Sequence, residues 1–337
     1  MIEIEIRPLS VEAYVRGAAW AAGSGVTYPR ANPGDVGRLP ADTWGTASLP
    51  VGVRLEVSGN ATHLEVLYHA ATDDFGYRRA GAGTMFAVWR DGRCIDEQAA
   101  VLGRGRVLLA LHAEGVDGDR AIVYLPEGMK PSITSVTGVD GEIQPAPRQP
   151  RWVAYGDSIV EGWIASGPAR AWPAIAGRAH GLDVYNLGYA GSARGEVVSA
   201  ENVASVRADV ISISHGTNCW TRIAHSVGQM TANTSAFLNI VRAGHPGIPI
   251  VVMSPVVRPD AESTPNRLGA TLRELRAAME QATQRIMDNG DTLITLLPGA
   301  DVLSPDLLAD GVHPGDEGHA VLANVFGSAV ALALRGK

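Results

Sequence analysis

Four short polar blocks stand out in the second half of the chain: Gly156-Asp157-Ser158, the stretch from Asn186 to Gly191, His215-Gly216-Thr217-Asn218, and Asp310-Gly311-Val312-His313. Together they hold the parts of an acyl-transfer site. A serine hydroxyl is a weak nucleophile at neutral pH and needs a base to take its proton as it attacks a carbonyl. His313 is the candidate base. Asp310, three residues earlier, is the carboxylate that can fix its tautomer and stabilise the imidazolium. The tetrahedral intermediate develops an oxyanion. The backbone N–H groups of Ser158 and Gly191 and the side-chain amide of Asn218 are the candidate donors to it, each worth roughly 3 kcal/mol of barrier. Glycine at 191 lets the backbone approach a substrate with no Cβ in the way, and Gly188 competes with it for that role.

The residues around these blocks divide into contacts and supports. Asp157 reads as a structural carboxylate that bonds nearby backbone N–H groups at a strand-to-helix turn. Trp220 and His215 are candidate substrate-binding residues, His215 reading equally well as a hydrogen-bonded structural histidine. Trp163 lies near the motifs, and Trp172 is expected to pack a helix on the sheet. His319, and His63, His69 and His112 in the first half, read as structural. No Cys or His spacing suits a metal, so no metal site and no organic cofactor are expected. Cys94 and Cys219 read as two free thiols rather than a long-range disulfide.

Elements must carry these blocks to one place. From residue 151 the rhythm is strand, loop, helix. Short apolar strands are expected at 151–155, 183–187, 209–214, 248–254 and 292–297. Helices are expected at 171–180, 196–206, 226–242, 266–288 and 316–334. This alternation predicts a parallel sheet covered on both faces, with ligands bound beyond the C-terminal ends of its strands. Residues 1–148 read differently. Short β-rich runs at 2–6, 51–57, 63–69, 85–89 and 121–124 are punctuated by Asp91-Gly92, Asp117-Gly118 and Asp140-Gly141, which predicts an antiparallel sandwich with no helix of useful length. The acidic and basic pairs around Phe75 and Tyr77 read as an exposed loop. Three prolines within Gln144–Pro150 read as a linker, placing the boundary near 148 between an accessory domain, 1–148, and a catalytic domain, 149–337.

Composition narrows the function classes. The chain has 337 residues, 46% hydrophobic and 19% charged, enough apolar side chain for two cores and too little charge for disorder. A net charge of −7 argues against broad attraction to a phosphate backbone, so no nucleic-acid partner is expected. Only Lys130 and Lys337 are lysines; the arginine excess reads as compositional bias. The N-terminus lacks the basic start and apolar run of a secretory signal, and no stretch of about 18 apolar residues suggests a membrane span. No membrane partner and a cytoplasmic location are therefore expected. No phosphate-binding glycine loop supports a nucleotide-binding role.

Gly156-Asp157-Ser158, Asn186-x-x-x-x-Gly191, Gly216-x-Asn218 and Asp310-x-x-His313 resemble, in order and spacing, the sequence blocks of the SGNH (GDSL-type) hydrolases. The resemblance spans roughly 151–335. It implies an α/β domain with a five-stranded parallel sheet in flavodoxin-like order, Ser158 as nucleophile, His313 as base, Asp310 as its orienting carboxylate, and Ser158, Gly191 and Asn218 as oxyanion hole. Cys219 stands where the family often has an acid, which implies an altered pocket wall. The first half is similar in architecture to the β-sandwich, or jelly-roll, domain of certain carbohydrate esterases and of SGNH acyltransferases that decorate polyketides. The expectation is a serine-dependent acyl-ester hydrolase acting on a small-molecule ester. Its rivals are an acyltransferase with a hydroxylated acceptor in secondary metabolism, and an inactive glycan- or metabolite-binding protein.

Overall fold

The computed structural model describes residues 10–20, 27–73 and 83–336. The expected strand at 2–6 and most of the charged loop around Phe75 and Tyr77 lie outside them. Among the described residues the first half holds nine strands: β1 (Val15–Arg16), β2 (Arg54–Gly59), β3 (His63–Ala70), β4 (Met85–Arg90), β5 (Arg93–Ala99), β6 (Gly103–Ala110), β7 (Arg120–Tyr124), β8 (Pro131–Val139) and β9 (Ile143–Pro145). They form an antiparallel sheet of order β1-β2-β7-β4-β5, with β9 also pairing β2, and a second sheet of order β6-β3-β8. Alternate residues of β3, Leu64, Val66 and Tyr68, are buried in one core with Leu55, Val57, Phe86, Val88 and Val123 of the facing sheet. This period of two is what a half-buried strand requires.

The Pro-rich stretch is no free linker. Its start is β9, and Ala146 is buried, donating to Glu56 O (3.1 Å) and accepting from Arg16 (2.7 Å). Proline is tolerated there because the strand lies at a sheet edge.

A seven-residue helix, α1 (Ala41–Ala47), stands in the first half, where no helix of useful length is expected. Its Thr-, Trp- and Gly-containing sequence has no amphipathic period and no side-chain cap. It is held by tertiary packing instead: Ala31, Leu39 and Ala47 join the core of the second half.

That second half is a five-stranded parallel sheet of β10 (Arg151–Gly156), β11 (Asp183–Gly188), β12 (Val210–Ser214), β13 (Ile250–Met253) and β14 (Ile294–Leu297), in the order β11-β10-β12-β13-β14. Its helices are α2 (Ser158–Glu161), α3 (Trp172–His180), α4 (Val197–Ser205), α5 (Val227–Gly244), α6 (Leu272–Asp288), α7 (Asp316–Leu322) and α8 (Ser328–Arg335). Successive β10 residues face opposite cores. Val153 and Tyr155 pack with Phe237, Leu275 and Met279 of α5 and α6, while Trp152 and Ala154 pack with Trp172 and Phe326 on the other face. Capping boxes start α5 (Ser226, Gln229) and α6 (Thr271, Glu274). The helix expected from 266 thus begins at Leu272, because Asn266 Oδ1 accepts from Leu268 and Ala270 N–H and folds a turn first.

The closing run Asp316–Arg335, through a π-turn at Ala323–Gly327, is long and apolar enough by composition to cross a membrane, contrary to the sequence expectation. In the fold its Leu322, Phe326 and Val330 are buried, with Phe326 stacked on Trp172 at 5.0 Å. Cys94 and Cys219 are both free thiols.

Candidate active site

Parallel pairing brings three of the four sequence blocks to one edge. Gly156 pairs in register with Gly188 on one side and Ser214 on the other, so the loops after β10, β11 and β12 leave the sheet at the same height. Ser158 opens the single-turn α2. Asp157 caps it, its side chain accepting from Ile159 N–H at 3.0 Å. Burial pushes the Asp157 carboxyl up to about 6.

The fourth block arrives from a tight loop before α7. Asp310 Oδ1 accepts from the N–H of Val312 (3.0 Å) and His313 (2.7 Å), and Ala309 N–H donates to His313 O (2.8 Å). The other carboxylate oxygen, Oδ2, lies 2.8 Å from His313 Nδ1, and His313 Nε2 lies 2.9 Å from Ser158 Oγ. An ionised carboxylate only accepts, so Nδ1 carries the proton and Nε2 presents a lone pair to the serine hydroxyl. Burial alone would raise the Asp310 carboxyl. The hydrogen bonds from His313 and Val312 outweigh it and hold the group below its ordinary value, ionised at neutral pH.

The oxyanion candidates face the same space. Gly191 has φ +72°, and a Cβ there would meet nothing within 4 Å, so its backbone is open to the cavity. Among the described residues neither Ser158 N–H nor Gly191 N–H donates to a protein acceptor. Gly188 is different: its N–H is spent on Asn186 Oδ1 at 2.8 Å, so of the two glycines Gly191 is the one with an unspent N–H among the described residues. Asn218 Nδ2 reaches only Ala193 O, at 3.5 Å, and the residue lines the cavity. Gly216, at φ +126°, makes the turn that delivers Asn218, where a Cβ would strike the Pro255 ring at 2.6 Å.

The loop that carries Gly191 is gripped from the first half of the chain. Arg30, 1% exposed, donates to Leu49 O (2.7 Å), Thr46 O (2.6 Å) and Gly188 O, and pairs with Glu161 of α2 at 3.6 Å. Glu161 in turn accepts from Ala190 N–H, and Tyr189 OH donates to Arg30 O at 2.7 Å. Residues 188–190 are therefore tied at both ends. Nothing in the sequence pattern marks Arg30 or Glu161, because the pair exists only through tertiary folding.

A cavity of about 480 Å³ surrounds Ser158 and His313. Its walls include Trp163, Gly191, Thr217, Asn218 and Val312, together with Asp42 and Thr46 from the first half and Arg222 and Arg258 from loops of the second. Two sequence candidates are not among them. His215 is 1% exposed, its ring edge-on to Tyr155 and Phe237 at 5.7 Å, and burial lowers its pKa to about 4. It is a neutral core histidine, not a substrate contact. Trp220 donates from its indole to Thr264 O (2.8 Å) and supports the Arg258 guanidinium 5.0 Å from its ring centre; the aromatic wall is Trp163. Cys219 is also buried, its thiol directed to Arg194 O at 3.7 Å, so it does not alter the cavity wall. Among the described residues no group of three or more His, Cys, Asp or Glu side chains is placed to hold a metal ion.

A parallel sheet in this strand order, with serine, histidine and carboxylate joined beyond its strand ends, is the architecture of the SGNH esterases and acyltransferases. Residues 154–321 match the GDSL-like Lipase/Acylhydrolase family, and the chain belongs to that family of enzymes through its second half. The fold of the whole chain is shared with solved structures. A salicylyl-acyltransferase from a tetracycline biosynthetic pathway is 24% identical, with a TM-score of 0.80 over 96% of this chain and 94% of its own. A GDSL-like lipase from Bacteroides ovatus is 20% identical, with a TM-score of 0.79 over 97% of each chain. A family two carbohydrate esterase from Clostridium thermocellum, solved with cellohexaose, is 14% identical, with a TM-score of 0.63 over 84% of this chain and 92% of its own. No curated protein sequence matches.

Proposed function

We propose that the chain is a serine-dependent acyl-ester hydrolase working through an acyl-enzyme on Ser158. The observation that carries this reading is the continuous chain from Asp310 through His313 to Ser158 Oγ, at 2.8 and 2.9 Å, beside two unspent backbone donors. Ser158 Oγ attacks the ester carbonyl while its proton passes to His313 Nε2. The oxyanion is received by Ser158 N–H, Gly191 N–H and Asn218 Nδ2. Collapse breaks the bond to the leaving alkoxide, which takes the proton from His313. Water, deprotonated by the same nitrogen, then attacks the acyl-enzyme and regenerates the serine.

A second reading replaces water with an alcohol acceptor. The likeness to the salicylyl-acyltransferase, which includes the first half of the chain, favours it. Both readings share the first half-reaction. They are separated by adding polyhydroxylated acceptors and analysing the products for transferred acyl groups. The common test is 4-nitrophenol release from short and aromatic acyl esters. Ser158→Ala is expected to lower kcat by about 10⁵-fold or more. Turnover by that variant within tenfold of the parent rules out the mechanism.

A further inference from the structure

We propose that Arg222 and Arg258 form an anion subsite in the acyl cavity, selecting substrates that carry a carboxylate or phosphate besides the reacting acyl group. The inference rests on the serine mechanism above and adds a substrate class to it. Both arginines line the cavity that holds Ser158 and His313. Two guanidinium groups thus share one cavity wall in a chain whose net charge is −7.

The two side chains are held on braced loops. Thr221 is fixed to Asn218 O through its N–H (3.3 Å) and hydroxyl (2.9 Å), so Arg222 follows directly from the oxyanion block. Trp220 is pinned to Thr264 O (2.8 Å), and Asn266 Nδ2 donates to His225 O (2.9 Å), which ties the Arg222 loop to the loop of Arg258. Arg258 lies over the Trp220 ring. It spends Nε and Nη2 on Asp260 at 2.8 and 2.9 Å, leaving Nη1. Arg222 has no carboxylate or carbonyl partner among the described residues, although it is an exposed cation beside a cavity. Among the described residues the one carboxylate on the cavity wall is Asp42, and it is paired with the buried Arg194. Arg222 is therefore the guanidinium that a ligand anion would meet first, with Arg258 Nη1 beside the same cavity. Arginine suits such an anion, since its planar donors meet carboxylate and phosphate oxygens in pairs.

The test uses two matched pairs of substrates. Mono-4-nitrophenyl succinate is compared with 4-nitrophenyl butyrate, which places the anion on the acyl side. Butyryl-coenzyme A is compared with the N-acetylcysteamine thioester of butyrate, which places phosphate on the leaving group. In at least one pair kcat/KM is expected to favour the anion by about tenfold, with R222Q and R258Q each reducing that ratio severalfold and added salt weakening it. Preference within the first pair assigns the subsite to the acyl group, and within the second to the leaving group. Ser158-dependent turnover with no preference in either pair overturns the subsite and leaves the mechanism standing. A preference that neither variant moves overturns the assignment to these arginines. No Ser158-dependent turnover of any of the four overturns both.

Discussion

The two halves of the chain reach the cavity by different routes. In the α/β half, the register of β10, β11 and β12 sets the height of the loops that carry Ser158, Gly191 and Asn218, and a tight loop held by Asp310 brings His313 to them. Among the described residues of the first half, no strand of the sandwich lines the cavity. What arrives is the stretch between β1 and β2, with Asp42 and Thr46 on the wall and Arg30 behind the 188–190 loop. Regular hydrogen bonding therefore positions the groups that would react. A short helix, α1, supplies a wall through Asp42 and Thr46, and the chain before it supplies a buried counter-charge, Arg30. The difference teaches that the accessory half contributes to the site without contributing chemistry to it.

Three variants probe that division. Asn218→Ala removes a donor delivered by the sheet and is expected to lower kcat by about 10²–10³-fold with a small change in KM. Steady-state rates on the best ester measure it, and a loss under threefold would remove Asn218 from the oxyanion role. Arg30→Met acts from the other half. It is expected to lower kcat by roughly tenfold, because a displaced 188–191 loop misplaces one donor. It is also expected to reduce stability by about 3–5 kcal/mol, because Glu161 would stay buried without its cation. Adding Glu161→Gln should recover part of that stability but not the rate. A fully additive double-mutant cycle would break the proposed coupling between the halves.

Asp157→Asn has the smallest expected effect on rate and sharpens the comparison by showing a purely local support. Burial raises its carboxyl from 3.8 to about 6, so the fold favours the protonated form. The stability this provides is complete below the unfolded value and is lost as pH rises through about 6. Asparagine still caps α2. The variant is therefore expected to be more stable than the parent by about 1–3 kcal/mol at pH 8, with the advantage gone at pH 4. Thermal melts across that range would show it, and an advantage that grows toward low pH would refute it.

The second half was legible because its signals are local. Apolar strands of four to six residues, capped helices and glycine-bearing strand ends each declare themselves within a short window, and parallel pairing then does the assembly. The elements carrying Ser158, Asn218 and His313 could be read this way, whereas the order of strands in the sheet was implied only by the resemblance to the SGNH hydrolases. Other features depend on contacts distant in sequence. Arg30 meets Glu161 across 130 intervening positions, and α1 packs Ala47 into the core of the second half. His215 and Trp220 sit beside a motif, but adjacency along the chain does not say which way a side chain turns. Both turn away from the cavity, one into the core and the other beneath Arg258. Arg222 and Arg258 were invisible in an arginine-rich composition and became distinct only by where they stand.

The Arg30–Glu161 pair also constrains how such a chain can diverge. A gene rearrangement that transplanted the α/β half alone would leave a carboxylate sealed in the interior with its counter-ion gone, and the product would start with a folding deficit. Single substitutions at either position meet the same barrier, so the two are expected to drift only in concert. The outer faces of the sandwich are under no such obligation. The first half can then be retained across descendants for its buried guanidinium groups, Arg30 on Glu161 and Arg54 on Asp183, while its own surface is reshaped for other purposes.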